Sequence, residues 1–494
     1  MPLTKIVCTL GPATDDRETL RAMIRAGMTV ARLNFSHGDA EEKRRTFAMV
    51  REIADEEGQH VAIMGDLQGP KIRVGELPED GIELTEGDHV VLTSDPVEDV
   101  ESEIPFPHPD IIEDIDEGDR LLLDDGTMEL IAENKERNRL TCRVLVGGRL
   151  KSHKGVNLPG VKLSLPALTE KDRADALVAL DLEMDYLALS FVRRADDVKA
   201  LREYLLDHVE GSVERQVGEN PHRIPGLVSK IEKPEALDDL EGIVRASDAV
   251  MVARGDLGVE IAPERVPLVQ KRIVHLCNQL GCPVITATQM LQSMIDLPRP
   301  TRAEASDVAN AILDGSDAVM LSGETSIGKY PVEAVSMMAR IAENVEQSED
   351  FPYNQLLDMD FEQDQPNAQV ITSAISRATV VLSMTSNAVA ILSSTESGRT
   401  ARIVARHRPK VPLLGITPFP QTARRMQMMW GLNPIVVEAF HHTDEMIERM
   451  MQAAFERHYV EVGDNVVLTA GIPLEVHGVT NMVKVHTIRE ADLT

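Results

Sequence analysis

Lys230 and Glu232 stand two residues apart at the end of the apolar run GLVSKIE (226–232). Period two puts both side chains on one side of a strand, where an ammonium and a carboxylate could share a site. Other apolar runs end in chemistry as well. TVARLN (29–34) delivers Arg32 and Asn34, with Ser36 just beyond, and VAIMGD (61–66) delivers Asp66. AVMVARGD (249–256) ends in Arg254, Gly255 and Asp256. PVITATQ (283–289) supplies Thr288, and AVMLSG (318–323) supplies Ser322, with Glu324 after it. Carboxylate oxygens suit Mg²⁺, while Lys and Arg suit phosphate. Phosphoryl transfer asks for little more, because positioning and neutralisation of developing charge do most of the work.

Each residue taken singly has a plainer reading. An acid at a strand end can cap a loop, Lys230 and Glu232 can form a structural ion pair, and Asn34, Ser36 or Thr288 can cap a helix. What favours a site is the common position of all of them. With KIVCTL (5–10) and YLALSF (186–191) these runs number eight, several apolar almost throughout, as strands covered on both faces are. Amphipathic stretches such as RETLRAMIRAG (17–27) and VPLVQKRIVHLCNQLG (266–281) lie between them, the second with Gly281 as a C-cap signal. Eight alternating units predict an α/β fold of the (β/α)8 TIM-barrel type, whose active-site face is formed by the strand C-termini.

The repeat is interrupted once. GIELTEGDHVVLTS, GDRLLLDDGTMEL and NRLTCRVLVGGRLKSHKG are short alternating segments with Gly and Asp turns. They predict a small inserted β-barrel domain over 70–164, between the third strand and its helix. The barrel then comprises 1–69 and 165–345. A boundary at SEDFPYNQLLDMDFEQDQP (348–366) opens a C-terminal α/β domain, 346–494, with strands expected near 388–393, 411–417, 434–438, 465–470 and 482–487.

Composition narrows the partners. Fifty-one basic against 81 acidic residues leave a net charge of −30, with acids spread along the chain. Nucleic acid and anionic membranes both select basic patches, so neither is expected as a partner. No apolar run reaches the roughly 18 residues of a membrane span, and the start MPLTKIVCTLGP lacks signal-peptide architecture. Cys8, Cys142, Cys277 and Cys282 show no metal spacing and read as buried hydrophobes in a reducing compartment. The chain is expected to be cytoplasmic. The acid excess fits either an ordinary acidic surface or adaptation to a high-salt cytoplasm, and the scarcity of Lys, 15 of the 51 basic residues, suits the second.

IPGLVSKIEKPEAL (224–237) resembles the pyruvate kinase signature, in which Lys and Glu two residues apart close a strand. KIVCTLGPA (5–13), GMTVARLNFSHG (27–38), GVNLPG with LPALTEKD (155–172), LSFVR (189–193), VMVARGDLGVE (250–260) and the long run 283–334 resemble that family in order and spacing. The resemblance implies that Glu232 and Asp256 hold Mg²⁺, and that Lys230 stabilises the phosphoryl group in transit. Arg32 would grip the phosphate of phosphoenolpyruvate; the Gly255 and Asp256 N–H groups and the Thr288 hydroxyl would bind its carboxylate. Asn34, His37, Arg73 and Lys154 would contact the phosphates of ADP or ATP. Protonation of the enolate would run through water near Thr288 and Ser322, the donor left open. The insert would close as a lid, and the family suggests a homotetramer.

Two further features follow from the resemblance. The turn Thr395-Glu396-Ser397-Gly398-Arg399-Thr400 is similar to the effector-phosphate loop of regulated members, and its plainer reading is a capped helix. In K⁺-requiring members Glu stands at the position of Lys71, and Thr-Lys at Leu67-Gln68. There the cation sits against groups equivalent to Asn34, Ser36, Asp66 and the Leu67 carbonyl. Leu67, Gln68 and Lys71 together resemble the K⁺-independent branch, so K⁺ is expected not to be required. A barrel lyase that binds an Mg²⁺-enolpyruvate needs neither Lys230, Arg73, Lys154 nor a lid, and a catalytically dead paralogue would not keep every site position filled.

Overall fold

The computed structural model describes residues 2–97, 103–209, 222–354, 357, 367–473 and 480–493. Eight parallel strands close into a barrel: Lys5–Thr9, Val30–Asn34, Ala62–Asp66, Tyr186–Leu189, Gly226–Ile231, Ala249–Ala253, Val284–Ala287 and Ala318–Leu321. Lys5 pairs with Ala318 to close the ring, and Met64 pairs with Tyr186 across the insertion point. Alternation divides each strand's apolar residues between two layers. Val7, Val30, Met64, Met251 and Ile285 fill the barrel interior, while Ile6, Cys8, Leu33, Ile63 and Val252 pack outward against the helices. All eight expected runs are strands, which places the residues at their C-terminal ends on one face.

Local signals set the helix ends. Asp16 accepts the Thr19 N–H at the start of Arg17–Ala26, and Thr169 and Thr301 form capping boxes with Asp172 and Glu304. Gly281 ends Val266–Leu280 in the left-handed conformation, φ +66°, as its sequence signal predicts.

The insert packs its own core around Phe106, Leu92, Leu121 and Leu140. Where a small barrel is expected, hydrogen bonding divides its strands between a six-stranded and a two-stranded sheet. The C-terminal sheet has five strands, Ala390–Ser394, Leu413–Thr417, Leu432–Val436, Asn465–Ala470 and Met482–Thr487, the last antiparallel to its neighbour. The expected boundary at 348–366 lies largely outside the described residues. This sheet and its helices dock on the end of the barrel away from the site. Lys5 Nζ donates to Leu432 O at 2.7 Å, the Tyr186 hydroxyl donates to Arg425 O at 2.8 Å, and Met428 joins the barrel-interior cluster. No helix among the described residues is long and apolar enough to cross a membrane.

Surface ion pairs such as Arg25–Glu57 and Arg17–Glu52 engage part of the acid, but 81 carboxylates exceed the available cations. The remainder repel one another through water, and salt screens that repulsion. The melting temperature is expected to rise from low salt to molar KCl. A flat or falling melting curve across that range identifies an ordinary acidic surface.

Candidate active site

The fifth strand presents Lys230 and Glu232 together, as the period-two argument requires. Lys230 Nζ lies 2.7 Å from Glu232 Oε1, 2.8 Å from Ser190 Oγ and 3.4 Å from Asp66 Oδ1. Arg32, from the second strand, binds the same aspartate: its Nε and Nη2 are both 2.6 Å from Asp66 Oδ2. Arg32 Nη1 donates to Thr9 Oγ1 at 2.8 Å. Three strands thus bring two cations and two carboxylates into one cluster. The Lys230 side chain keeps only 12% of its surface exposed and that of Glu232 2%.

Burial sets the electrostatics. It disfavours the Lys230 ammonium, but Asp66 and Glu232 outweigh it and hold that group charged beyond its ordinary range. Burial likewise opposes ionisation of Asp66, and here Lys230 and Arg32 win, so its carboxyl stays below the usual value. For Glu232 burial dominates over the help of Lys230, the nearby Asp256 charge adds to it, and the carboxyl is pushed up to about 7. Two carboxylates near enough to perturb each other are a donor set a hard divalent ion relieves. Asp256 is half-exposed on the cleft between barrel and insert, with no partner for its carboxylate among the described residues. Its oxygens and those of Glu232 fit Mg²⁺ completed by substrate and water. No cluster of three or more His, Cys, Asp or Glu among the described residues offers an all-protein cage.

Thr288 is held in an unusual conformation, φ +70°, which costs a β-branched residue energy. Arg254 braces it, donating from Nη2 to Thr288 O at 2.7 Å and from Nε to Ala287 O at 3.2 Å, while pairing with Asp307. The Thr288 hydroxyl in turn accepts the Gly255 N–H at 2.7 Å. Glu324 is fully buried and accepts the Leu291 and Ser322 N–H groups at 3.0 and 2.8 Å, so it supports the eighth-strand loop from behind. The Ser322 hydroxyl is buried with no hydrogen-bond partner among the described residues.

Other expected contacts lie further out. Asn34 Oδ1 accepts the Ser36 N–H at 3.0 Å, and His37 is exposed beside them. In the insert, Arg73 Nη1 donates to His153 O at 2.7 Å and Lys154 pairs with Asp124 at 2.7 Å. The Leu67 carbonyl accepts the Ser190 hydroxyl at 2.8 Å. Lys71 is exposed on the cleft wall, apart from the Asp66 cluster, and its ammonium has no partner among the described residues. In the C-terminal turn Thr395 is buried, Thr400 bonds the Thr480 hydroxyl at 2.8 Å, and Ser397, Gly398 and Arg399 line a cavity.

Sequence reasoning passed over several supports. Ser190 and the Phe191 N–H, which donates to Glu232 Oε2 at 2.7 Å, fix the central pair from the fourth strand. Both stand in LSFVR, a motif that marks a strand end without saying what it faces. Lys233 and Glu260 pair at 2.6 Å, and Asn157 of the insert donates to the same Glu260 oxygen at 2.9 Å. Arg193 donates to Leu163 O and Leu165 O, both at 2.7 Å, where the chain returns from the insert. Nothing in residue spacing announces contacts across so long an insertion.

A family model of the pyruvate kinase barrel domain matches residues 1–335, and one of the pyruvate kinase alpha/beta domain matches residues 373–486. Pyruvate kinase 2 of Synechocystis sp. is 46% identical over 490 residues, 98% of this chain and 79% of its own. The pyruvate kinase of Clostridium acetobutylicum is 41% identical over 99% of this chain and 100% of its own. Among solved structures, a pyruvate kinase from Cryptosporidium parvum superposes with a TM-score of 0.90 at 36% identity, covering 98% of this chain and 96% of that one.

Proposed function

The chain belongs to the pyruvate kinase family, and from that premise we propose how its own residues perform transfer between phosphoenolpyruvate and ADP. The observation that carries the reading is the buried cluster of Lys230, Glu232, Asp66 and Arg32 at the strand C-termini. Arg32, oriented by Asp66, binds the phosphate of phosphoenolpyruvate. Lys230, kept charged by its two carboxylate neighbours, meets the negative charge spread over the phosphoryl oxygens in transit. The Gly255 and Asp256 N–H groups and the Thr288 hydroxyl take the substrate carboxylate, which replaces Thr288 as acceptor for Gly255. Asn34, His37, Arg73 and Lys154 receive the nucleotide phosphates. Mg²⁺, held by Glu232 and Asp256, supplies charge neutralisation to the substrate oxygens when bound.

The roles of the remaining parts belong to the same reading. Residues 70–164 act as the lid, with Arg193 and Glu260 at its root. Residues 346–494 carry regulation by a phosphorylated effector near Ser397, Gly398 and Arg399. The assembly is a homotetramer in the cytoplasm, a reading supported by exposed Val370, Ile371, Val381 and Met384 on the helix Asn367–Thr385. K⁺ is not required, since Lys71 brings a cation of its own.

A coupled assay should record pyruvate only when phosphoenolpyruvate, ADP and Mg²⁺ are all present, and EDTA should abolish it. Pyruvate formed without ADP identifies a lyase instead. Glu232→Gln should raise the Mg²⁺ concentration for half-maximal rate by tenfold or more. An unchanged Mg²⁺ dependence removes Glu232 from the metal site.

A further inference from the structure

We propose that Asn157, Glu260 and Lys233 form a positioning bridge that couples the seating of the insert to the Glu232 and Asp256 carboxylates. Glu260 ends the short helix Arg254–Glu260, one turn after Asp256, so i,i+4 spacing puts both carboxylates on the same face. Lys233 directly follows Glu232, just past the end of the fifth strand. Its Nζ lies 2.6 Å from Glu260 Oε1, and Asn157 Nδ2 donates from the insert to that same oxygen at 2.9 Å. The Glu260 side chain keeps 1% of its surface exposed and that of Lys233 10%. Asn157, Lys233, Phe191 and Asp256 line one cleft. The Lys233 ammonium sits 5.7 Å from the centre of the Phe191 ring, and the Phe191 N–H in turn donates to Glu232 Oε2 at 2.7 Å. One amide of the insert therefore reaches the surroundings of both carboxylates through two buried neighbours.

A buried ion pair is stable only when hydrogen bonds satisfy what the pairing leaves over. Here the barrel alone does not supply them. Glu260 Oε2 is buried with no hydrogen bond among the described residues, and Lys233 and Asn157 both bind Oε1. Lifting the insert away takes one donor from a carboxylate that already has an unsatisfied oxygen, which costs free energy. An amide suits this place, because it donates to the carboxylate without adding charge. The insert meets the same helix at the residue before. A side chain at Gly126, which sits at φ +83° in the insert, would touch Val259 Cγ1 at 3.8 Å. The seated insert thus packs on two successive residues of a seven-residue helix. A helix so short has little stability of its own, so such contacts decide where Asp256 stands.

The bridge rests on the lid and Mg²⁺ readings above and adds the residues that link them. Asn157→Asp keeps the shape but turns the donor into a carboxylate facing Glu260. The variant should raise the half-saturating Mg²⁺ and phosphoenolpyruvate concentrations tenfold or more, because fewer molecules have the insert seated. Its kcat at saturation should stay within threefold of wild type. Amide hydrogen exchange of the unliganded full chain should quicken over 155–163 and 254–260. Combining Asn157→Asp with Glu260→Gln moves the negative charge across the seam and leaves Lys233 paired. That double variant should return exchange and both saturation curves to within threefold of wild type. Asn157→Ala removes the donor without adding charge and should raise both half-saturating concentrations about threefold, so it serves where the Asp variant melts early. Unchanged exchange and saturation in Asn157→Asp overturn the bridge and leave the lid reading standing. A double variant as impaired as the single one also overturns it, because the damage is then not one of charge. Faster exchange with unchanged saturation overturns the lid reading together with the bridge, because an insert set loose would then not matter to the site.

Discussion

Lys230→Met should lower kcat by three orders of magnitude or more while phosphoenolpyruvate still binds. A thousandfold is about 4 kcal/mol of transition-state stabilisation, the scale on which single preorganised charges act in dry sites. Lys230 meets the conditions for such an effect. Its ammonium is nearly buried, is oriented by three oxygens from three other positions, and is kept charged by Asp66 and Glu232. Arg32 remains to bind the substrate phosphate, so the loss should fall on kcat and leave the KM for phosphoenolpyruvate within a few fold. Met matches the length of the Lys stem without its charge. Its removal also leaves Asp66 and Glu232 less compensated, so the variant's melting temperature must be recorded beside its rate. A folded Lys230→Met enzyme with turnover within tenfold of wild type ends the assignment, and points to Arg32 or the metal as the sole source of charge.

The barrel and the heart of the site are legible in the sequence for one reason: both repeat. Eight apolar runs declare eight strands, and six of them deliver candidate residues within two or three positions of their ends. Period two then decides that Lys230 and Glu232 face the same way. What is not legible depends on contacts far apart in the chain. Glu324 reads as a barrel-end acid like Glu232, yet it is wholly occupied by the Leu291 and Ser322 N–H groups. Arg254 reads only as one more cation at a strand end, yet it holds the backbone of Thr288 in a conformation that costs that residue energy. A side chain's type gives its chemistry; only its neighbours decide whether that chemistry is already spent.

Wild-type enzyme should work without K⁺, and Lys71→Glu should impose a K⁺ requirement of tenfold or more. Asn34, Ser36, Asp66 and the Leu67 carbonyl are the oxygens that hold the cation in K⁺-requiring relatives, by resemblance. Here Lys71 opens the insert, just past Gly69 and Pro70, with its N–H on Gly69 O at 2.9 Å. Its ammonium, without a partner among the described residues, is on a cleft wall that Asp125 and Asp256 also line, a unit charge on a flexible stem. The residue sits where barrel and insert join, so the lid closure proposed above would move this charge with respect to the Asp66 cluster, and a tethered cation would then do what a dissolved one does elsewhere. Glu at 71 reverses the sign on a cleft wall that Asp125 and Asp256 also line, and K⁺ then supplies the counter-charge that Lys71 gave. The measurement compares rates with and without KCl at ionic strength fixed by a bulky organic cation, which separates specific activation from the salt effect on stability. Wild-type activation of tenfold or more sinks the idea. So does a Lys71→Glu enzyme that is equally impaired with and without K⁺, because the lost charge would then not be one that K⁺ can replace.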